Sequence, residues 1–233
     1  MELSKRVILA SGSPRRKELL EMMGLDFEII SGNQDEKYTS IQPKEIVKEL
    51  ALMKAEYVAK KVVEEFKDDF LVIGADTIVV LDNQIIEKPG DEAEAFGMLA
   101  KLKNRSHDVY TGVALLDYSF EQCKAKNKQK TEKSRKEKPG EEKEVKEELK
   151  EECQGISFKR KVINFATQTK VHIGDISDDE IKAYINTGEP FDKAGGYGIQ
   201  GRFAVFVKGI EGEYYNVMGL PVSALYKKLN ELI

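Results

Sequence analysis

Residues 121–160 carry 13 basic and 10 acidic side chains, so 23 of these 40 positions are charged. From 120 to 154 almost no apolar residue interrupts them. A segment with nothing to bury does not offset the entropy lost on ordering. The chain of 233 residues therefore reads as one folded unit, residues 1–233, from which a charged, disordered insertion at 120–154 loops out between two strands. Glu–Lys spacing within residues 141–152 also suits a solvated helix. Setting residues 121–160 aside leaves the other 193 with a net charge of −7. An acidic core of that kind is unsuited to coating nucleic acid by charge alone.

No apolar run reaches the ~20 residues that a membrane-spanning helix needs. The best, residues 71–81, is interrupted by Asp76. The opening Met1-Glu2-Leu3-Ser4-Lys5-Arg6 lacks the apolar stretch of a secretory signal. Two cysteines, Cys123 and Cys153, make no disulfide framework, and two histidines leave no room for a multi-histidine metal centre. A soluble, cytoplasmic protein is the expectation.

Outside the insertion, apolar patterning places strands at residues 6–10, 27–30, 70–80, 84–86, 107–116, 161–173 and 203–210. Helical spacing covers residues 15–24, 43–66, 91–102, 177–184 and 221–232. Strands and helices mix without strict βαβ alternation, which points to a mixed-sheet α/β fold.

Three stretches carry chemistry. A strand ends in Ser11-Gly12-Ser13, Pro14 suits the first helical position, and Ser13 is a natural N-cap. Arg15 and Arg16 then occupy the first turn, where the helix dipole disfavours positive charge. Backbone N–H groups, small hydroxyls and guanidiniums at one turn suit a polyphosphate; the alternative is two solvated arginines. No Walker lysine motif is present, which excludes a P-loop kinase or GTPase. Second, Asp76 sits inside an apolar strand, where a carboxylate is costly unless paired or metal-bound. It is a candidate general base or metal ligand, or a structural carboxylate. Glu36 is a candidate second oxygen ligand for Mg²⁺ or Mn²⁺. Third, residues 188–201 hold five glycines together with Asp192, Lys193 and Gln200. Glycine permits close backbone approach to a ligand. Lys193 offers a charge for phosphate, Asp192 orients it, and Gln200 has one donor and one acceptor for a base edge. Taken singly, Lys54 and Lys88 read as surface charges.

Six motifs occur together and in order: Ser11-Gly-Ser-Pro-Arg-Arg-Lys-Glu-Leu-Leu20, Gly74-Ala-Asp-Thr-Ile-Val79, Glu87-Lys-Pro89, Ser106-His-Asp-Val-Tyr-Thr-Gly-Val113, the stretch 189–201, and Tyr215-Asn-Val-Met-Gly-Leu-Pro221. With them the chain resembles the Maf family, septum-formation-inhibitor-like nucleoside triphosphate pyrophosphatases, everywhere except the charged insertion. The resemblance implies a two-lobed α/β fold with a mixed β-sheet and a central cleft, like inosine triphosphate pyrophosphatases. It implies metal-dependent hydrolysis of a nucleoside triphosphate to the monophosphate and pyrophosphate. The form of the 189–201 motif resembles the subgroup acting on dTTP and UTP rather than the one acting on 7-methyl-GTP. By position, Asp76 matches the family's proton acceptor, and Arg15, Thr77 and Gln200 match its specificity positions. Ser11, Arg16, Glu36, Lys54, Lys88 and Lys193 match residues lining the cleft. A nucleoside triphosphate is the expected partner, a homodimer is compatible with the resemblance, and neither membrane nor nucleic acid is expected. The rival reading is a non-enzymatic division regulator that docks a partner through the insertion.

Overall fold

A computed structural model describes residues 3–32, 35–66, 68–120, 145–153 and 156–232, and the side chains among these outside 145–157. The fold is α/β, built on one mixed sheet of eight strands. Its strands are β1 (Arg6–Leu9), β2 (Glu28–Ile29), β3 (Phe70–Leu81), β4 (Gln84–Ile86), β5 (Ser106–Phe120), β6 (Val145–Cys153), β7 (Ile156–Ile173) and β8 (Val207–Glu211). Helices α1 (Pro14–Met22), α2 (Pro43–Glu65), α3 (Glu92–Leu102), α4 (Asp178–Ile185), α5 (Tyr214–Met218) and α6 (Val222–Asn230) connect and cover them.

Three long antiparallel strands, β3, β5 and β7, form the spine. On the outer side of β3 two short strands lie end to end: β1 pairs parallel with residues 70–73, and β4 pairs antiparallel with residues 79–81. Between them, among the described residues, β3 runs on with no strand along that edge. The notch so formed contains Asp76 and Thr77, and it is where a cleft opens.

Alternation along β3 sorts the core. Leu71, Ile73 and Ala75 face α1 and α6, joining Leu19, Leu20, Leu225 and Leu229. Phe70 and Val72 face α2, joining Ala51, Ala55, Val58 and Val62. The even-numbered series carries Asp76 to the α2 face, and the next residue, Thr77, turns to the α1 face. Helix α2 lies unusually close to the sheet because Gly74 and Gly112 have no side chains. A Cβ on Gly74 would run into the Ala51 carbonyl and come within 2.8 Å of the Ala55 Cβ. One on Gly112 would strike the Val47 carbonyl.

Several expectations need correction. Residues 145–153 of the charged segment form a strand paired along β7, not the helix expected over 141–152, and β7 begins at Ile156 rather than 161. Backbone pairing needs no apolar side chains, and edge strands are commonly rich in charge. Residues 121–144, the rest of the expected insertion, lie outside the described residues. The strand expected over 203–210 opens as a 3-10 turn (Arg202–Phe206), because Phe203 is drawn fully inward against Tyr184 and Tyr197. Helix α5 was not anticipated; at five residues it is too short to show a helical period. Ser13 stands at the N-cap position of α1 but its side chain makes no capping bond, and its backbone N–H donates to Ser11 Oγ instead.

Candidate active site

The notch beside β3 deepens into a cleft of about 1270 Å³, lined by the β1–α1 turn, the middle of β3, the β4 end and the glycine-rich segment 189–201. Ser11, Arg15, Arg16, Glu36, Lys54, Asp76, Thr77, Lys88, Lys193 and Gln200 all line it. They come from both ends of the chain, so the fold, not sequence proximity, assembles them.

At the floor, Asp76 is buried and its Oδ1 accepts from Lys54 Nζ at 2.5 Å. The same ammonium reaches Glu36 Oε1 at 2.7 Å. Lys54, which taken singly reads as a surface charge and by resemblance as a cleft residue, thus bridges two carboxylates; the close approach of α2 over Gly74 places it there. Burial pushes the Asp76 carboxyl above its ordinary range, against the opposing pull of Lys54 and Arg16. A carboxylate so placed is a stronger base than an exposed one.

Arg15 and Arg16 point different ways. Arg15 Nη1 reaches across the mouth to Asp192 Oδ2 at 3.1 Å, and Asp192 also accepts from Lys193 Nζ at 2.6 Å. The expected orienting role of Asp192 therefore extends to an arginine on the opposite wall. Arg16, expected to face a triphosphate, is spread over the cleft wall: Nε donates to Gly219 O at 2.9 Å, Nη1 to Ser11 Oγ at 3.0 Å and Nη2 to Thr77 Oγ1 at 3.1 Å. Partners of this kind hold a positive charge in a first helical turn against the dipole. Burial also draws the Arg16 pKa down, with Asp76 opposing. Lys88 and Gln200 are exposed at the rim.

Behind this wall lies a buried polar chain that motif reading did not single out. Thr111, directly opposite Thr77 across β3 and β5, approaches it at 3.0 Å between hydroxyl oxygens. Thr111 donates to the backbone oxygen of Asn216, whose side-chain amide donates to Val109 O and Thr169 Oγ1. The available signal was one polar residue, Asn216, set before the apolar run 217–220; Thr111 stands among other polar residues of its motif and is not marked out.

His107 is buried in β5 with its ring edge-on to Tyr197 and Nε2 2.7 Å from the Tyr197 hydroxyl. Burial lowers its pKa from 6.5 to about 4. The unfolded chain therefore takes up this proton at a higher pH than the folded one does. Stability from His107 is complete above about pH 6.5 and is lost as pH falls towards 4, on the order of 3 kcal/mol in all. Urea midpoints at pH 7.5 and 5 should show that decline in the wild type and a flatter one in His107→Gln. An equal decline in both would remove the assignment.

Among the described residues no group of three or more His, Cys, Asp or Glu side chains is placed to hold a metal. Asp76 and Glu36 nonetheless sit on either side of the Lys54 ammonium, each with a second carboxylate oxygen, and Mg²⁺ is typically held by one or two protein carboxylates, with waters and substrate phosphates completing the shell. The two residues fit that role. Among the described residues no helix is long and apolar enough to cross a membrane.

A mixed α/β fold with a cleft of this size, carrying lysines and arginines at its mouth and a buried carboxylate at its floor, defines an α/β protein with a small-molecule cleft. The family model described as Maf-like protein matches residues 6–154 and 137–232. A protein of Bacillus thuringiensis subsp. konkukian named dTTP/UTP pyrophosphatase is 40% identical over 230 residues, covering 97% of this chain and 95% of that one. One of Bacillus cereus with the same name is 40% identical over 233 residues, 99% and 91% of the two chains. The chain belongs to the Maf family. Among solved structures, the Staphylococcus aureus Ham1 protein overlaps 73% of each chain at 13% identity with a TM-score of 0.34, too little to argue from.

Proposed function

We propose that the chain is a nucleoside triphosphate pyrophosphatase acting on dTTP and UTP. The observation that carries the reading is the convergence of a buried, base-competent Asp76 with Lys54, Arg15, Lys88 and Lys193 in one cleft. The names of relatives 40% identical over nearly the whole chain support the substrate.

In this reading Asp76 takes a proton from water as its oxygen attacks the α-phosphorus. The bond from that phosphorus to the bridging oxygen breaks, and pyrophosphate leaves. Lys54 holds Asp76 and Glu36 in place, while Arg15, Lys88 and Lys193 bind the phosphates. Phosphoryl transfer asks the protein mainly for positioning and charge stabilisation, which fits a cleft that gathers Arg15, Lys54, Lys88 and Lys193. A divalent ion, Mg²⁺ or Mn²⁺, held by Asp76 and Glu36 would neutralise phosphate charge and acidify bound water. Gln200 can donate to a base carbonyl of uracil or thymine.

The test is pyrophosphate release from UTP, dTTP, CTP, ATP, GTP and 7-methyl-GTP, with Mg²⁺, with Mn²⁺ and with a chelator. Metal-dependent release that is fastest for UTP and dTTP is expected. No release from any of them would overturn the proposal, and preference for 7-methyl-GTP would overturn its substrate.

A further inference from the structure

The hydrogen bonds around Thr77 leave its hydroxyl no choice of direction. A guanidinium only donates, so Arg16 Nη2 at 3.1 Å occupies one lone pair of Thr77 Oγ1. A backbone carbonyl only accepts, so the 2.9 Å approach of Thr111 Oγ1 to Asn216 O requires the Thr111 proton between them. The 3.0 Å contact between the two threonine oxygens then needs a proton that Thr111 no longer has. It must come from Thr77. Thr77 is left with one lone pair and no proton for anything in the cleft.

Ser11, on the same guanidinium, is set the other way. Its oxygen accepts from Arg16 Nη1 at 3.0 Å and from the Ser13 backbone N–H at 3.3 Å, which fills both lone pairs and leaves its proton to donate. Two hydroxyls that would each be free to donate or accept in water are therefore fixed with opposite sense. A donor suits a phosphate oxygen. An acceptor suits an N–H or O–H on the nucleoside.

We propose that Thr111 is a specificity-positioning residue. By accepting the Thr77 proton it makes Thr77 an obligate acceptor, which selects a hydrogen-bond donor on the nucleoside part of the substrate. This rests on the pyrophosphatase reading above. The shared chemistry is one donor, supplied either by the imide N3–H of uracil or thymine, or by the 3′-hydroxyl of the sugar. A nucleotide offering an acceptor there, such as the N3 of cytosine, meets lone pair against lone pair. Thr111 itself is fully buried and touches no ligand, so its effect passes wholly through Thr77.

The experiment measures kcat/KM for UTP, CTP and 3′-deoxy-UTP in the wild type and in Thr111→Val, which keeps the shape and removes the acceptor. Once its proton has no fixed partner, Thr77 can turn and donate. One of the two ratios, UTP over CTP or UTP over 3′-deoxy-UTP, should then fall at least about fivefold, as expected for one hydrogen bond. Which ratio falls identifies the donor. Thr111→Ser restores the hydroxyl and should restore the wild-type ratio. A purely structural role would slow all three nucleotides by one factor and leave both ratios unchanged; that result overturns the proposal. If Thr111→Val does not fold by thermal melting, Thr111→Ala removes the same acceptor with less crowding, and the same ratios decide. A wild type that turns over none of the nucleotides would instead defeat the pyrophosphatase reading, so the two failures are distinguishable.

Discussion

Asp76→Asn is expected to lower kcat for nucleoside triphosphate hydrolysis by at least about 10²-fold, the scale of a lost general base. The amide keeps the size of the side chain and its place on the α2 face of β3, but it cannot take a proton. Burial holds the Asp76 carboxyl above the ordinary range. Because a base works only when deprotonated, wild-type kcat/KM should fall on the acid side at a pH above that of an exposed aspartate. The variant should lose this limb. KM is expected to change less than kcat, since Arg15, Lys88 and Lys193 are untouched. Steady-state kinetics across pH, with thermal melting as a control for folding, make the comparison. Full kcat in a folded D76N protein would remove Asp76 from the chemistry.

A comparable loss should come from a residue with no functional group. Gly112→Ala would drive a methyl group into the Val47 carbonyl and to within 2.8 Å of the Lys48 N–H nitrogen. These are backbone atoms of α2 and cannot swing aside, so the helix must lift from the sheet. Overpacking of this kind costs about 3 kcal/mol, at the upper end of its usual range. Helix α2 also carries Lys54, so the lift should loosen the bridge between Asp76 and Glu36. Both the urea midpoint and kcat are therefore expected to drop. An unchanged midpoint would mean that α2 does not lie where the Gly112 contact requires.

The strands that bury both faces were legible in the sequence, because Val, Ile and Leu in β1, β3 and β5 have no other use. Asp76 was legible for the same reason: a charge inside such a run needs a purpose. Strand β6 was not legible. Residues such as Lys146, Glu147, Glu148 and Lys150 carry no apolar signal, and their order comes from backbone pairing with β7. Arg16 shows a different limit. Its charge was visible, but its direction depends on Gly219 and Thr77, which the sequence separates from it by 203 and 61 positions. Taken singly, Lys54 reads as a surface lysine for a similar reason, since nothing local reveals that two glycines on neighbouring strands draw its helix down; only the motif resemblance assigns it to the cleft. Thr111 was hidden because a buried hydroxyl acting through another hydroxyl leaves no pattern of charge or spacing.

The long strand β5 answers to different demands along its length. Partway along it, Thr111 lies behind the cleft wall. Nine residues further along β5, about 30 Å away at the usual strand rise, Phe120 packs at a tilt against Phe70 and Phe158, and its backbone N–H donates to Asp69 Oδ1. The chain leaves β5 there and pairs again from Val145. A change of length or composition at that departure point is remote from every group that would meet a nucleotide. The rings of Phe70, Tyr118, Phe120 and Phe158 thus close the core at the end of β5 that lies away from the cleft, and a change made there meets packing before it meets chemistry.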